Sequence, residues 1–138
     1  MAIHTFLNFN GNCREAVEYY ATVFAAEKPK IITFGDTPAE PDFSMTKEMK
    51  KLVAYTELQI FDTKIQFSDV LPGMPFLVGN NISLTISTND RVGMRLIFDA
   101  LKEGGKVEME LAETPWSKFY GALTDRYGIG WQFNYCLE

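Results

Sequence analysis

One histidine, His4, occurs in 138 residues, and the two cysteines, Cys13 and Cys136, stand far apart without motif spacing. A closed zinc site of imidazoles and thiolates lacks its ligands here. Positive charge is also in short supply. Thirteen Lys and Arg against eighteen Asp and Glu leave a net charge of −5, with no electrostatic footprint for nucleic acid or an anionic membrane. Lys47, Lys50 and Lys51 cluster, but Glu48 interrupts them, as on a solvated loop face. No apolar run approaches the length of a membrane span, and residues 1–5 lack the charged and apolar regions of a secretory signal. The expectation is a cytoplasmic protein with reduced thiols and neither nucleic-acid nor membrane partners.

What is present is apolar and aromatic. A hydrophobic fraction of 46% and an aromatic fraction of 14% argue against disorder, and the length suits one compact domain or two half-size modules sharing a core. Residues 3–9 alternate as a strand, with Ile3, Thr5, Leu7 and Phe9 on one face and His4, Phe6 and Asn8 on the other. Asn12 followed by Glu15 resembles a capping box, opening a helix with its apolar stripe at Cys13, Val17, Tyr20, Ala21 and Phe24 and its stop at Pro29. A short strand is expected within 30–35, then a long loop over 35–51 with one helical turn near 45–49; such a loop is either mobile or a lid. Residues 52–61 and 64–68 make a hairpin turning at Asp62–Thr63. Residues 70–79, with Pro72, Gly73, Pro75 and Gly79, are a linker.

After the linker the pattern restarts. Residues 81–87 are a strand with Ile82, Leu84 and Ile86 inward and Asn81, Ser83 and Thr85 opposite. Thr88, Asn89 or Asp90 caps a helix with apolar residues at Met94, Ile97, Phe98 and Leu101, and Gly104 suits the left-handed position beyond it. A strand around 106–111 precedes the C-terminal hairpin, 116–135, turning at 125–128, whose second arm puts Trp131, Phe133 and Tyr135 on one face and Gln132, Asn134 and Cys136 on the other. His4 to Asn81 and Val17 to Met94 share a step of 77, and Gln66 to Gln132 a step of 66, the difference falling in the long loop. The chain therefore reads as two βαβββ copies, about 1–69 and 80–138, packed as one domain because half a chain buries too little surface alone.

Residues 6–20, 101–107, 113–121 and 124–134 together resemble the vicinal oxygen chelate superfamily, the fold of glyoxalase I, extradiol dioxygenases and bleomycin-resistance proteins, and within it the PhnB-like members. The resemblance implies an α+β fold in which tandem βαβββ modules form cupped mixed sheets around a cleft, helices outside, and it implies a homodimer. Some such relatives are labelled ubiquinone-pathway methyltransferases, yet the glycine-rich strand–turn–helix that would hold adenosylmethionine is missing: Gly128 and Gly130 sit in a hairpin.

In metal-using relatives the ligands come from the first and last strands of each module, which by resemblance are His4, Gln66, Asn81 and Gln132. Neutral amide oxygens are weak donors and carry no charge to offset metal desolvation, so the expected cofactor is none, with a divalent metal at His4 as the alternative. The same quartet, with Asn8, Ser68, Ser83, Thr85 and Asn134, makes a polar face that is either the solvated side of an ordinary sheet or the wall of the implied cleft. Phe6, Trp116, Phe119 and Tyr120 would supply its apolar part. The favoured reading is a binding protein for a small polar or aromatic molecule, contacted by His4, Phe6, Asn8, Gln66, Asn81, Trp116, Phe119 and Gln132. The alternative is a metal-dependent glyoxalase- or epimerase-like enzyme with His4 as a ligand, and a third reading is a purely structural dimerisation module. His4 has no acidic partner placed by motif to make it a general base, and Lys118 and Arg126 are surface positions by default. Cys13 lies on the buried helical stripe and Cys136 beside apolar neighbours, so neither looks like an activated thiolate.

Overall fold

The computed structural model describes residues 1–38 and 44–136. They form two compact units, Met1–Phe76 and Leu77–Glu138, of one plan. In the first, β1 (Thr5–Phe9) leads into α1 (Cys13–Val23), then β2 (Ile32–Thr33), a 3₁₀ turn (Phe34–Asp36), α2 (Lys47–Lys51), β3 (Val53–Ile60) and β4 (Thr63–Asp69). In the second, β5 (Ser83–Thr88), α3 (Arg91–Lys102), β6 (Lys106–Thr114), β7 (Ser117–Thr124) and β8 (Gly130–Tyr135) follow. The strand orders are β1-β4-β3-β2 and β5-β8-β7-β6, with the first and last strands of each unit parallel and the rest antiparallel. This is the expected α+β fold of tandem βαβββ modules.

Each core is one sheet face covered by one helix. Cys13, Ala16, Val17, Tyr20 and Ala21 of α1 are buried, and Tyr20 stacks on Phe67 with ring centroids 6.0 Å apart. Met94, Phe98 and Leu101 of α3 are buried likewise, and Phe98 meets Phe133 edge-on at 5.2 Å. Both stripes are those of the 3.6-residue period. Gly104, at φ +76°, takes the left-handed position after α3.

The helix ends depart from the sequence expectations. Asn12 makes no side-chain cap. Instead, Asp69 at the end of β4 accepts from the backbone N–H groups of Gly11 (2.9 Å) and Cys13 (3.0 Å) through Oδ1 and of Val53 (2.9 Å) through Oδ2. A carboxylate from 56 residues away suits the positive end of the helix better than a local amide. Nor does Pro29 stop α1. The helix ends at Val23 in a Schellman motif, with Ala26 N–H donating to Ala21 C=O, Ala25 N–H to Thr22 C=O, and Ala25 at φ +51°. In the second unit the cap is local, Gly93 N–H donating to Asp90 Oδ1 at 2.9 Å.

Strand 30–35 shrinks to two residues because Asp36 Oδ2 accepts from Thr33 N–H and draws the chain into the 3₁₀ turn. The helical turn expected near 45–49 is α2, capped by Thr46, while residues 39–43 of the long loop lie outside the described residues. The first hairpin turns at Phe61–Asp62, one residue earlier than expected, with Phe61 at φ +56°.

Candidate functional site

The face of each sheet turned away from its helix carries the polar residues. In the first unit the ladders align Phe6, Gln66 and Glu57 as one row across β1, β4 and β3, and Asn8 and Ser68 as the next. Ser68 Oγ donates to Asn8 Oδ1 at 3.0 Å, and the rings of Phe6 and Tyr55 lie 6.2 Å apart. Tyr55 O–H donates to Glu57 Oε2 at 2.7 Å, and Lys64 Nζ is 3.4 Å from Glu57 Oε1. The Tyr55 hydrogen bond, then Lys64 and more weakly His4, holds the Glu57 carboxyl below its usual range. The same bond pushes the Tyr55 phenol upward, with Gln66 opposing.

In the second unit Thr85, Gln132 and Ala122 share a row. Here Gln132 is engaged in both directions. Tyr120 O–H donates to its Oε1 at 2.7 Å, and its Nε2 donates to Ser83 Oγ at 2.8 Å, so three strands are tied by one chain of side-chain hydrogen bonds. Trp116, 65% exposed in the β6–β7 turn, stands edge-on to Tyr120 at 5.7 Å. Phe6, Asn8 and Gln66 thus meet on one face, and Trp116 and Gln132 are joined through Tyr120 on the other.

Three expected residues stand elsewhere. Phe119 falls on the helix side of β7, where Arg91 of α3 lies 4.5 Å above its ring, because one step along a strand reverses the face. Asn81 precedes β5 and is exposed, as is Ile82 at 78%. His4 also precedes its strand and is exposed. Moreover, Phe6 and Thr85 hold equivalent places opposite Gln66 and Gln132, so the first strands are related by a step of 79, whereas the helical stripes keep 77. The second copy's counterpart of His4 is therefore Ser83, the residue bonded to Gln132, and not Asn81. The two-residue difference preserves the side-chain face, which is why the polar row was still legible.

Sequence reasoning missed Tyr55, and it counted Tyr120 only as apolar wall, not as the hydrogen-bond donor to Gln132. The alternation of β3, with Tyr55 and Glu57 opposite the buried Thr56, Leu58 and Ile60, held the signal for Tyr55. Among the described residues no three or more His, Cys, Asp or Glu side chains gather as a metal site. Cys13 is fully buried, and burial with the nearby Asp69 charge pushes its thiol up to about 12. No helix among the described residues is long and apolar enough to cross a membrane.

Residues 1–134 match the family described as 3-demethylubiquinone-9 3-methyltransferase. Protein YjdN of Escherichia coli is 31% identical over 97% of this chain and 95% of its own length. Among solved structures, protein PA1353 from Pseudomonas aeruginosa is 30% identical with a TM-score of 0.84, covering 98% of this chain and 97% of that one. The PhnB protein from Bacillus cereus, 24% identical over 99% of this chain and all of its own, has a TM-score of 0.76. A glyoxylase/bleomycin resistance protein/dioxygenase domain from Frankia shares the fold at 12% identity, with a TM-score of 0.64 over 99% and 98% of the two chains. Paired βαβββ units in this strand order, matched along almost their whole length, make the chain a member of that 3-demethylubiquinone-9 3-methyltransferase family, with a fold shared with the PhnB protein and the glyoxylase/bleomycin resistance protein/dioxygenase domain.

Proposed function

We infer that the protein is a cytoplasmic, homodimeric binding protein for a small polar or aromatic molecule, held on the amide-bearing sheet faces without a tightly bound metal. The observation that carries this reading is the Tyr120–Gln132–Ser83 chain with Trp116 beside it, a set of converging hydrogen-bonding groups flanked by an exposed ring on a face that no helix of its unit covers. Gln132 Oε1, the atom a metal would need, already accepts a phenolic hydrogen bond, and Glu57, a carboxylate within electrostatic reach of His4, is already engaged by Tyr55 and Lys64.

The methyl transfer in the family's description requires a nucleoside cofactor, and the residues do not fit one. At the β1–α1 turn the Gly11 and Cys13 N–H groups are taken by Asp69, and the β5–α3 turn, Asn89–Asp90, has no glycine. Native mass spectrometry with elemental analysis of untagged protein tests the reading. A stoichiometric organic ligand, lost in Gln132→Ala, supports it, as does the absence of saturable adenosylmethionine binding. Stoichiometric zinc, nickel, iron or manganese lost in His4→Ala would overturn it in favour of the metal-dependent enzyme.

A further inference from the structure

The two units differ most at one sheet edge. In the second, β6 pairs along β7 from Lys106 opposite Thr124 to Thr114 opposite Ser117. In the first, β2 offers β3 only Ile32 opposite Tyr55 and Thr33 opposite Val53, and among the described residues the outer edge of β3 from 56 to 60 has no strand partner. The hairpin closes on the pair Ile60–Thr63 across a two-residue turn, so by antiparallel alternation Glu57 and Gln59 turn their backbone N–H and C=O groups toward that open edge.

Beside the edge lies a concavity of about 790 Å³, bounded on its far side by residues 24–30. Phe24 and Leu58 give it a buried apolar lining, and Phe61, 59% exposed and held at positive φ, meets Phe24 edge-on at 5.8 Å. A bulky side chain at positive φ is uncommon, and such positions concentrate at functional sites. Lys28 and Lys30 also line the space and form no ion pair among the described residues. Glu27 and Glu57 share the lining, Glu57 being already engaged by Tyr55 and Lys64.

We propose that the open edge of β3 is a strand-addition site for an extended peptide segment of about four or five residues in which apolar and acidic side chains alternate. The duplicated unit indicates the occupant. There the same place beside the equivalent strand is filled by β6, whose sequence alternates Val107, Met109 and Leu111 with Glu108 and Glu110. The edge-facing backbone groups of β3 would bind the peptide backbone, Phe24, Leu58 and Phe61 its apolar side chains, and Lys28 and Lys30 its carboxylates.

The probe is the synthetic nine-residue peptide of residues 106–114, titrated into the isotope-labelled full chain and followed by amide NMR. Saturable shifts confined to residues 24–32 and 55–64, with slowed hydrogen exchange at Glu57 and Gln59, are the expected result. Gln59→Pro, which removes an edge donor, should weaken binding about fivefold or more. Should Gln59→Pro fail to fold, the exposed double substitution Lys28→Glu/Lys30→Glu should weaken binding roughly threefold to tenfold, and a peptide with its glutamates changed to lysine should recover it. Gln132→Ala should leave peptide affinity unchanged, which separates this site from the amide-bearing face. No saturable shift at millimolar peptide, shifts centred on β7 (the peptide displacing β6), or a Gln59→Pro change in self-association without a change in peptide affinity would each overturn the proposal.

Discussion

The two units share one strand order and hold their corners differently. Asp69 and Asp125 are both buried carboxylates, 4% and 3% exposed, and among the described residues each accepts at least three N–H hydrogen bonds. Asp69 gathers donors 58, 56 and 16 residues away, tying the start of α1 and the start of β3 to the end of β4. Asp125 serves Tyr127, Ile129 and the Trp131 indole, all within six residues. The first unit, with a two-residue β2, closes through a long-range carboxylate. The second, with a nine-residue β6, has its carboxylate shape the turn and hold the Trp131 indole just beyond it. Chemically equal groups thus carry unequal structural weight.

Substitution of both carboxylates breaks or sharpens this comparison most. Asp69→Ala should destabilise by about 3–4 kcal/mol, because backbone donors at the starts of two distant elements lose their acceptor, whereas Asp125→Ala should cost about 2–3 kcal/mol. Urea denaturation measures both, and equal losses would remove the distinction.

Next is the alkaline limb of stability. The Cys13 thiol, at about 12 when folded against an ordinary value of 9.0, ionises more readily in the unfolded chain. Its contribution is full below pH 9 and is lost as pH rises from 9 toward 12, so the urea midpoint should fall across that window and Cys13→Ala should flatten the fall. An unchanged slope in the variant would assign the loss to other groups.

Tyr120→Phe should cost roughly 1 kcal/mol by releasing Gln132 Oε1, and any ligand of that face should weaken with it; a calorimetric melt and a native mass spectrum check the two effects. The smallest effect is a gain. Ala25→Gly should stabilise by about 0.5–1 kcal/mol, since glycine takes the left-handed position after α1 without the Cβ clash. Gly104 already holds the corresponding position after α3, so the same gain is not available there.

Particular residues show how far the sequence reached. Phe6, Asn8, Gln66 and Gln132 were assigned to the polar faces because strand side chains alternate with period two, and that parity survived even though the first strands are related by 79 rather than 77 positions. Phe119 was misjudged because its strand face was not followed through from Gly121 and Leu123, the buried residues on its side. Tyr55, and the hydrogen bond of Tyr120 to Gln132, escaped notice because their importance comes from neighbouring side chains, which a linear pattern does not name.

Alternation and helical periodicity, both properties of neighbouring residues, by themselves determined the two βαβββ units, their helix stripes and the polar side of each sheet. Only the tertiary structure decided that Asp69 caps α1, that Ser83 rather than Asn81 answers His4, and that among the described residues β3 keeps an open edge where β7 does not. Each of these depends on hydrogen bonds or ladder pairings between segments distant in the chain, and local propensity carries no record of such a partner.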